Sequence, residues 1–169
     1  MDHHAPLLSL IEARRARIGV IGLGYVGLPL AVAVARAGFA VTGFDIDPPK
    51  IVKLAACESY IEAVSDAALR EVCERLEATA DFTRLGACDV IVICVPTPLT
   101  RHREPDLSFV IKTCRDIAAT LRPGQLIVLE STTYPGTTDG PVRAVLEATG
   151  LQPGVDFFLG FSPEREDPG

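Results

Sequence analysis

Residues 18–38 read IGVIGLGYVGLPLAVAVARAG, and this stretch decides the fold. Ile18, Val20 and Ile21, with the slim backbone of Gly19 between them, suit a strand covered on both faces. Gly22-Leu23-Gly24-Tyr25-Val26-Gly27 follows at once with the spacing G-x-G-x-x-G. In a strand-turn-helix unit that spacing divides the work in three. Gly22 permits the tight turn, Gly24 leaves bare backbone for a pyrophosphate, and Gly27 lets the next helix pack closely on the strand. A helix starting near Tyr25 leaves its first N–H groups unpaired, and these, with the helix dipole, attract an anion without any basic side chain. Pro29 is compatible with a first turn, Ala31, Ala33, Ala35 and Ala37 favour a helix lying close to the sheet, and Gly38 stops it.

The continuation strengthens this reading. A second apolar strand over 40–44 ends in Asp45, 18 positions past Gly27. A carboxylate there holds the two ribose hydroxyls of an adenosine and repels a 2′-phosphate, so the expected cofactor is NAD rather than NADP. Lys50, five positions on, falls near the adenosine ribose or a phosphate; a solvated lysine at a helix start is the alternative.

Working outward, residues 7–15 suggest a short amphipathic lead-in helix whose Leu7, Leu8, Leu10 and Ile11 cover a sheet edge. Downstream, Asp47-Pro48-Pro49 opens a helix carrying Ile51, Val52 and Leu54. The pattern over 65–77 predicts a helix, and a strand over 78–82 follows. The apolar run 90–95 is a strand of the kind buried in parallel sheets, and Pro96-Thr97-Pro98 ends it. Arg101, His102 and Arg103 form a small basic cluster in the next loop, either solvated or in contact with a cofactor or substrate phosphate. Asp106 caps a helix with apolar positions at 107, 110, 111, 114, 117, 118 and 121. A strand over 125–129 delivers Glu130-Ser131-Thr132, a helix covers 138–148, and a sixth strand over 157–161 precedes Ser162-Pro163-Glu164.

Six strands alternating with helices imply an α/β domain with a doubly wound parallel six-stranded sheet of spatial order 3-2-1-4-5-6, the Rossmann arrangement. Residues 1–16 are the lead-in and 17–169 the NAD-binding domain. Every marked motif lies just past a strand's carboxyl end, where such sheets bind ligands. The expected cofactor-binding set is Gly22, Gly24, Tyr25, Val26, Gly27, Asp45, Lys50, Val95, Pro96, Thr97, Ser131 and Thr132.

Composition narrows the class. With 169 residues the chain can bury a core without staples. A net charge of −6 argues against a nucleic-acid or anionic-membrane partner. No membrane-length apolar run or basic-then-apolar leader is visible, so the cytoplasm is the expected compartment. Five cysteines without C-x-x-C spacing suit neither a disulfide framework nor zinc. Cys73 shares a helical stripe with Leu69, Val72 and Leu76, and Cys114 shares one with Ile111, Ile117 and Leu121; with Cys94 on a strand, all three are expected in the core. No metal site is expected from His3, His4 and His102.

Together, IGLGYVGLPLA from Ile21, FDID ending at Asp47, VPTP at 95–98, ESTTYPGTT at 130–138 and FSPERE at 161–166 resemble the amino-terminal half of the nucleotide-sugar dehydrogenases, the UDP-glucose/GDP-mannose 6-dehydrogenase family. The likeness is greatest to the branch acting on UDP-N-acetylglucosamine. It implies oxidation of the sugar's C6 alcohol to a carboxylate with two NAD, passing through a cysteine thioester. It also implies a homo-oligomer for the full-length enzyme, with a UDP-sugar as its substrate. By matching position, Thr132 corresponds to a threonine holding a catalytic water and Glu164 to a glutamate active in acid-base steps of thioester hydrolysis. A water attacking a thioester needs a hydroxyl to place it and a carboxylate to manage its proton. The family's nucleophilic cysteine, in a G-x-C-x-P context, and its catalytic lysine belong to a linking helix and second domain beyond Gly169. None of the five cysteines here has that context. The chain is therefore expected to be the cofactor-binding half of a longer enzyme and inactive alone. Two rival readings are a single-step hydroxyacid or 6-phosphogluconate-type dehydrogenase and a non-enzymatic NAD-sensing regulatory domain. Neither needs the Ser131-Thr132 and Pro163-Glu164 pairs.

Overall fold

A computed structural model describes residues 2–163. After the lead-in helix α1 (His4–Glu12) come β1 (Arg17–Ile21), α2 (Gly27–Arg36), β2 (Ala40–Phe44), α3 (Pro48–Ala55), α4 (Asp66–Val72) and β3 (Leu76–Thr79). A 3₁₀ turn over Phe82–Ala87 leads to β4 (Val90–Ile93), then α5 (Ser108–Ala118), β5 (Leu126–Leu129), a π-turn over Thr138–Val142, α6 (Arg143–Glu147) and β6 (Phe158–Phe161). All five strand pairings are parallel, and the sheet order is β3-β2-β1-β4-β5-β6.

The sequence produces this order through burial. After exposed Arg17, every residue of β1 is buried, and so is every residue of β4. Alternate strand residues feed two separate apolar layers. Ile18, Val20, Val41, Val90 and Val92 pack with α1, α2 and α4 on one face. Ile21, Phe44, Ile91, Ile93, Ile127 and Leu129 pack with α5 and α6 on the other. Each such side chain, when fully buried, contributes about 1.5–3 kcal/mol. In α1, Leu7 joins the first layer, and the His4 ring meets Phe158 of β6 edge-on at 5.8 Å.

Several expectations shift; the lead-in helix, expected over 7–15, runs His4–Glu12. The helix expected over 65–77 ends at Val72, and β3 occupies 76–79. The helix expected over 138–148 begins as a π-turn, in which the Val142 N–H donates to the Thr137 carbonyl at 3.2 Å around the internal Pro141. Cys73, expected in the core, caps α4 and is exposed. No helix among the described residues is long and apolar enough to cross a membrane.

The register fixes the site. Ile21 lies level with Phe44 of β2 and Ile93 of β4, and Ile93 with Leu129 of β5. The residues that follow these four strands therefore emerge on one edge, and β1 is where the chain's course through the sheet reverses, leaving a crevice between α2 and α5.

Candidate functional site

At that edge the structure opens a cavity of about 760 Å³. Of the expected cofactor set, Gly22, Gly24, Tyr25, Val26, Asp45, Lys50, Val95, Pro96, Thr97, Ser131 and Thr132 line it. Gly27 does not. It stands behind the turn, where an added Cβ would lie 1.7 Å from the Gly22 carbonyl oxygen. Gly22 has φ +89°, and a Cβ on it would lie 2.6 Å from the Cys94 carbonyl oxygen. A Cβ on Gly24 would meet nothing within 4 Å. Among the described residues, the Gly24, Tyr25 and Val26 N–H groups have no hydrogen-bond acceptor, whereas Leu28 N–H already donates to the Gly24 carbonyl at 3.1 Å. Helix α2 therefore starts two residues later than expected, and the turn before it offers open amides beside open space, which suits a pyrophosphate.

Asp45 is buried at the β2 end. Its Oδ2 accepts the Leu23 N–H at 2.9 Å and the Lys50 ammonium at 3.3 Å, and its Oδ1 accepts the Asp47 N–H at 3.0 Å. A carboxylate has about four acceptor positions, so one is left for a hydroxyl, and the long Lys50 contact is the one most readily exchanged. The Lys50 ammonium also lies 5.8 Å from the Tyr60 ring centroid. Tyr60 donates its phenolic O–H to the Leu23 carbonyl at 2.6 Å. Burial, and then the charges of Asp45 and Asp47, push this phenol above its ordinary value, so it stays a donor further into the alkaline range than a free tyrosine would. Asp45 and Tyr60 thus grip the N–H and the C=O of Leu23, fixing the glycine turn from both sides.

The far side of the cavity is pinned by cross-strand bonds. The buried Ser131 hydroxyl donates to the Val95 carbonyl at 2.7 Å, and Thr97 Oγ1 donates to the Thr132 carbonyl at 2.5 Å. Ser131 thereby spends its hydroxyl on the β4 end, while Thr132 remains exposed on the cavity wall. Glu164 lies outside the described residues. The Arg101–Arg103 cluster sits on an exposed hairpin closed by a Leu99–Pro105 bridge, and it does not line the cavity.

Sequence reasoning missed one wall. Phe109, Lys112, Thr113 and Asp116 of α5 line the cavity, with Lys112 and Asp116 paired at 3.0 Å. Their i, i+3, i+4, i+7 spacing was the available signal, hidden because the stronger apolar stripe of the same helix drew the reading. Phe82, tilted against Phe44 at 5.7 Å, and exposed Ile46 add apolar surface. Among the described residues, no group of three His, Cys, Asp or Glu residues is placed to hold a metal ion.

Comparison with known proteins agrees with this fold. Residues 16–169 match the model of the UDP-glucose/GDP-mannose dehydrogenase family, NAD binding domain. A UDP-N-acetyl-D-glucosamine 6-dehydrogenase of Pseudomonas aeruginosa is 42% identical over 155 residues, covering 90% of this chain and 36% of that protein. The structure of a UDP-D-ManNAc dehydrogenase from Pyrococcus horikoshii superposes with TM-score 0.83 at 40% identity, covering 90% of this chain and 37% of that one. A ternary complex of GDP-mannose dehydrogenase from Pseudomonas aeruginosa gives TM-score 0.83 at 34% identity, covering 88% and 36%. The chain thus spans little more than a third of the length of these relatives.

Proposed function

The chain belongs to the UDP-glucose/GDP-mannose dehydrogenase family, of which it is the NAD-binding domain, and from that premise we propose that it serves an enzyme oxidising the C6 alcohol of a UDP-sugar, UDP-N-acetylglucosamine first, to the carboxylate. The observation that carries this reading is one cavity with a clamped acid on one side and an exposed threonine on the other.

The residues fit a dinucleotide end to end. Asp45 takes a ribose hydroxyl in the position Lys50 half-occupies, and Lys50 stays beside it as a counter-charge. Gly24, Tyr25 and Val26 turn their amides to the pyrophosphate. Ile46, Phe82 and Phe109 offer apolar walls to a purine ring. Val95, Pro96 and Thr97, held by Ser131 and Thr132, border the opposite end. NAD, when bound, supplies the hydride acceptor for each of the two oxidations. Thr132 orients a water by its hydroxyl, and Glu164 manages that water's proton, as the family resemblance implies. The Ser131 and Thr97 bonds hold Thr132 on a fixed backbone, which gives an orienting hydroxyl its value. A UDP-sugar is favoured by relatives acting on UDP-N-acetylglucosamine and UDP-N-acetylmannosamine at 42% and 40% identity, against GDP-mannose enzymes at 34–35%; within the UDP-sugars, UDP-N-acetylglucosamine rests on the motif resemblance.

Titration calorimetry tests the cofactor half. NAD binds, and Asp45→Asn weakens binding about tenfold to hundredfold, the worth of a hydrogen bond to a charged group, while narrowing the preference over NADP. Absence of NAD uptake at millimolar concentration overturns the reading. For the substrate half, the full-length enzyme is assayed with UDP-N-acetylglucosamine, UDP-N-acetylmannosamine, UDP-glucose and GDP-mannose. The highest kcat/KM is expected for the first, and a higher value for GDP-mannose refutes the assignment.

A further inference from the structure

The α5 wall of the cavity carries a hydroxyl that does no work inside the protein. Thr113 is 6% exposed, and its Oγ1 has no hydrogen-bond partner among the described residues. Threonines in and beside helices commonly turn the hydroxyl back on a carbonyl one turn earlier. Thr137 and Thr149 do so, donating to the Tyr134 and Leu146 carbonyls at 2.7 Å. Thr113 does not. Among the described residues, every wholly enclosed side-chain oxygen or nitrogen has a partner. The Thr113 oxygen therefore still meets open space, and the space that Thr113 lines is the cavity.

The same strip of α5 brings three more groups to that wall. Phe109 and Asp116 lie one turn before and one turn after Thr113, and Lys112 pairs with Asp116 at 3.0 Å. Asp116 is the less exposed partner, its side chain 33% accessible against 66% for Lys112. An ion pair this open adds little stability, but it does orient the carboxylate. As a carboxylate Asp116 only accepts hydrogen bonds, whereas the Thr113 hydroxyl both donates and accepts.

Resting on the reading of this cavity as a dinucleotide site, we propose that α5 selects the base: the Thr113 hydroxyl bonds a ring nitrogen and the Asp116 carboxylate accepts from a 6-amino group, so the site takes a 6-aminopurine in preference to a 6-oxopurine. A ribose held by Asp45 hands its base to the surfaces of Ile46, Phe82 and Phe109, and Phe109 shares its strip of α5 with Thr113 and Asp116. Those apolar surfaces grip the faces of either purine alike. Only the edge tells them apart. Adenine offers an amino donor at position 6 beside the N7 acceptor, while a 6-oxopurine offers acceptors at both places. Facing the oxo group, an acceptor-only carboxylate leaves both partners unpaired and repels, which makes the discrimination partly a rejection.

Titration calorimetry compares NAD with nicotinamide hypoxanthine dinucleotide, in which a 6-oxo group replaces the 6-amino group. The parent chain, Thr113→Val and Asp116→Asn are each titrated with both, and each is melted without ligand. The parent is expected to bind NAD about tenfold more tightly than the analogue. Thr113→Val removes a hydroxyl without a partner in the protein, so it melts no lower than the parent, yet it binds NAD about threefold to tenfold more weakly. Asp116→Asn, whose amide both accepts and donates, binds the analogue better than the parent does and narrows the preference. Equal binding of the two dinucleotides by the parent, unchanged NAD affinity or a lower unliganded Tm in Thr113→Val, or an unchanged preference in Asp116→Asn each overturns this inference and leaves the dinucleotide site standing. No NAD uptake by the parent overturns the site reading itself and this inference with it.

Discussion

At the scale of single residues, the glycine turn separates what the fold requires from what the ligand requires. Gly22 and Gly27 are needed by the chain itself: the first for φ +89° and the second because its Cβ would overlap the Gly22 carbonyl. Gly24 answers to nothing in the protein, since a Cβ there meets no atom within 4 Å. The two kinds of glycine must then respond differently to the same substitution. Gly27→Ala costs about 3 kcal/mol or more, because backbone oxygen cannot give way as a flexible side chain does, and lowers Tm by about 10 °C. Gly24→Ala moves Tm by no more than about 2 °C yet weakens NAD binding about tenfold or more, since its methyl group stands in the pyrophosphate's space. Thermal melts with and without NAD separate the cases. A Gly24→Ala protein that binds NAD as the parent does would remove Gly24 from the cofactor site.

At the scale of elements, α5 shows how one helix serves both layers of the argument. Its buried side, with Val110, Cys114 and Ile117, seals the sheet, and a neighbouring strip carries Phe109, Lys112, Thr113 and Asp116 to the cavity. Burial alone pushes the Cys114 thiol up to about 12 from an ordinary 9.0. As pH rises past the ordinary value, the unfolded chain loses this proton while the folded chain keeps it, so the unfolded state gains. Stability is fully present below about pH 9 and falls by about 1.4 kcal/mol per pH unit per such thiol up to the folded value. Cys88, pushed to about 11 by burial first and Asp89 second, acts in the same direction. Urea unfolding of Cys114→Ala should start from a lower stability at neutral pH and lose less between about pH 9 and about pH 10.5 than the parent does; parallel curves would show that the thiol does not titrate this way. Elements of this kind were legible in the sequence because their apolar period is unbroken, and the strand order and the glycine turn followed from the same signal. The boundaries near 72–76 were not legible, since Leu76 continues the helical stripe of Leu69 and Val72, and only pairing with Val41 of β2 decides that it is strand. Cys73 was misplaced for the same reason. Arg122 and Gln125 were silent too: they tie the α5–β5 connection to the carbonyls of Leu85, Gly86 and Cys88, contacts 34 to 40 positions away that no local pattern encodes.

At the scale of the whole molecule, the sheet gathers the ends of β1, β2, β4 and β5 around one cavity, and no single loop could do so. That arrangement supplies a dinucleotide site and one candidate water-orienting hydroxyl, Thr132, but a thioester route also needs a nucleophilic thiol. Of the five cysteines, Cys88 and Cys114 are sealed in the core, and Cys57 and Cys73 lie at the ends of α3 and α4. Only Cys94, among the described residues, is a thiol on the cavity wall, and it follows directly on β4 rather than standing in a G-x-C-x-P context. The relatives are nearly three times as long as the portion matched here. The 169-residue chain is therefore expected to take up NAD, with Tm rising on saturation as for any ligand of the folded state alone, and to give no sustained NADH from UDP-N-acetylglucosamine or its neighbours. The two measurements fail separately. No rise in Tm with NAD would count against the site itself. Sustained NADH formation would instead leave the site standing and show that these residues hold enough machinery for turnover, and its loss in Cys94→Ser would then name the thiol responsible.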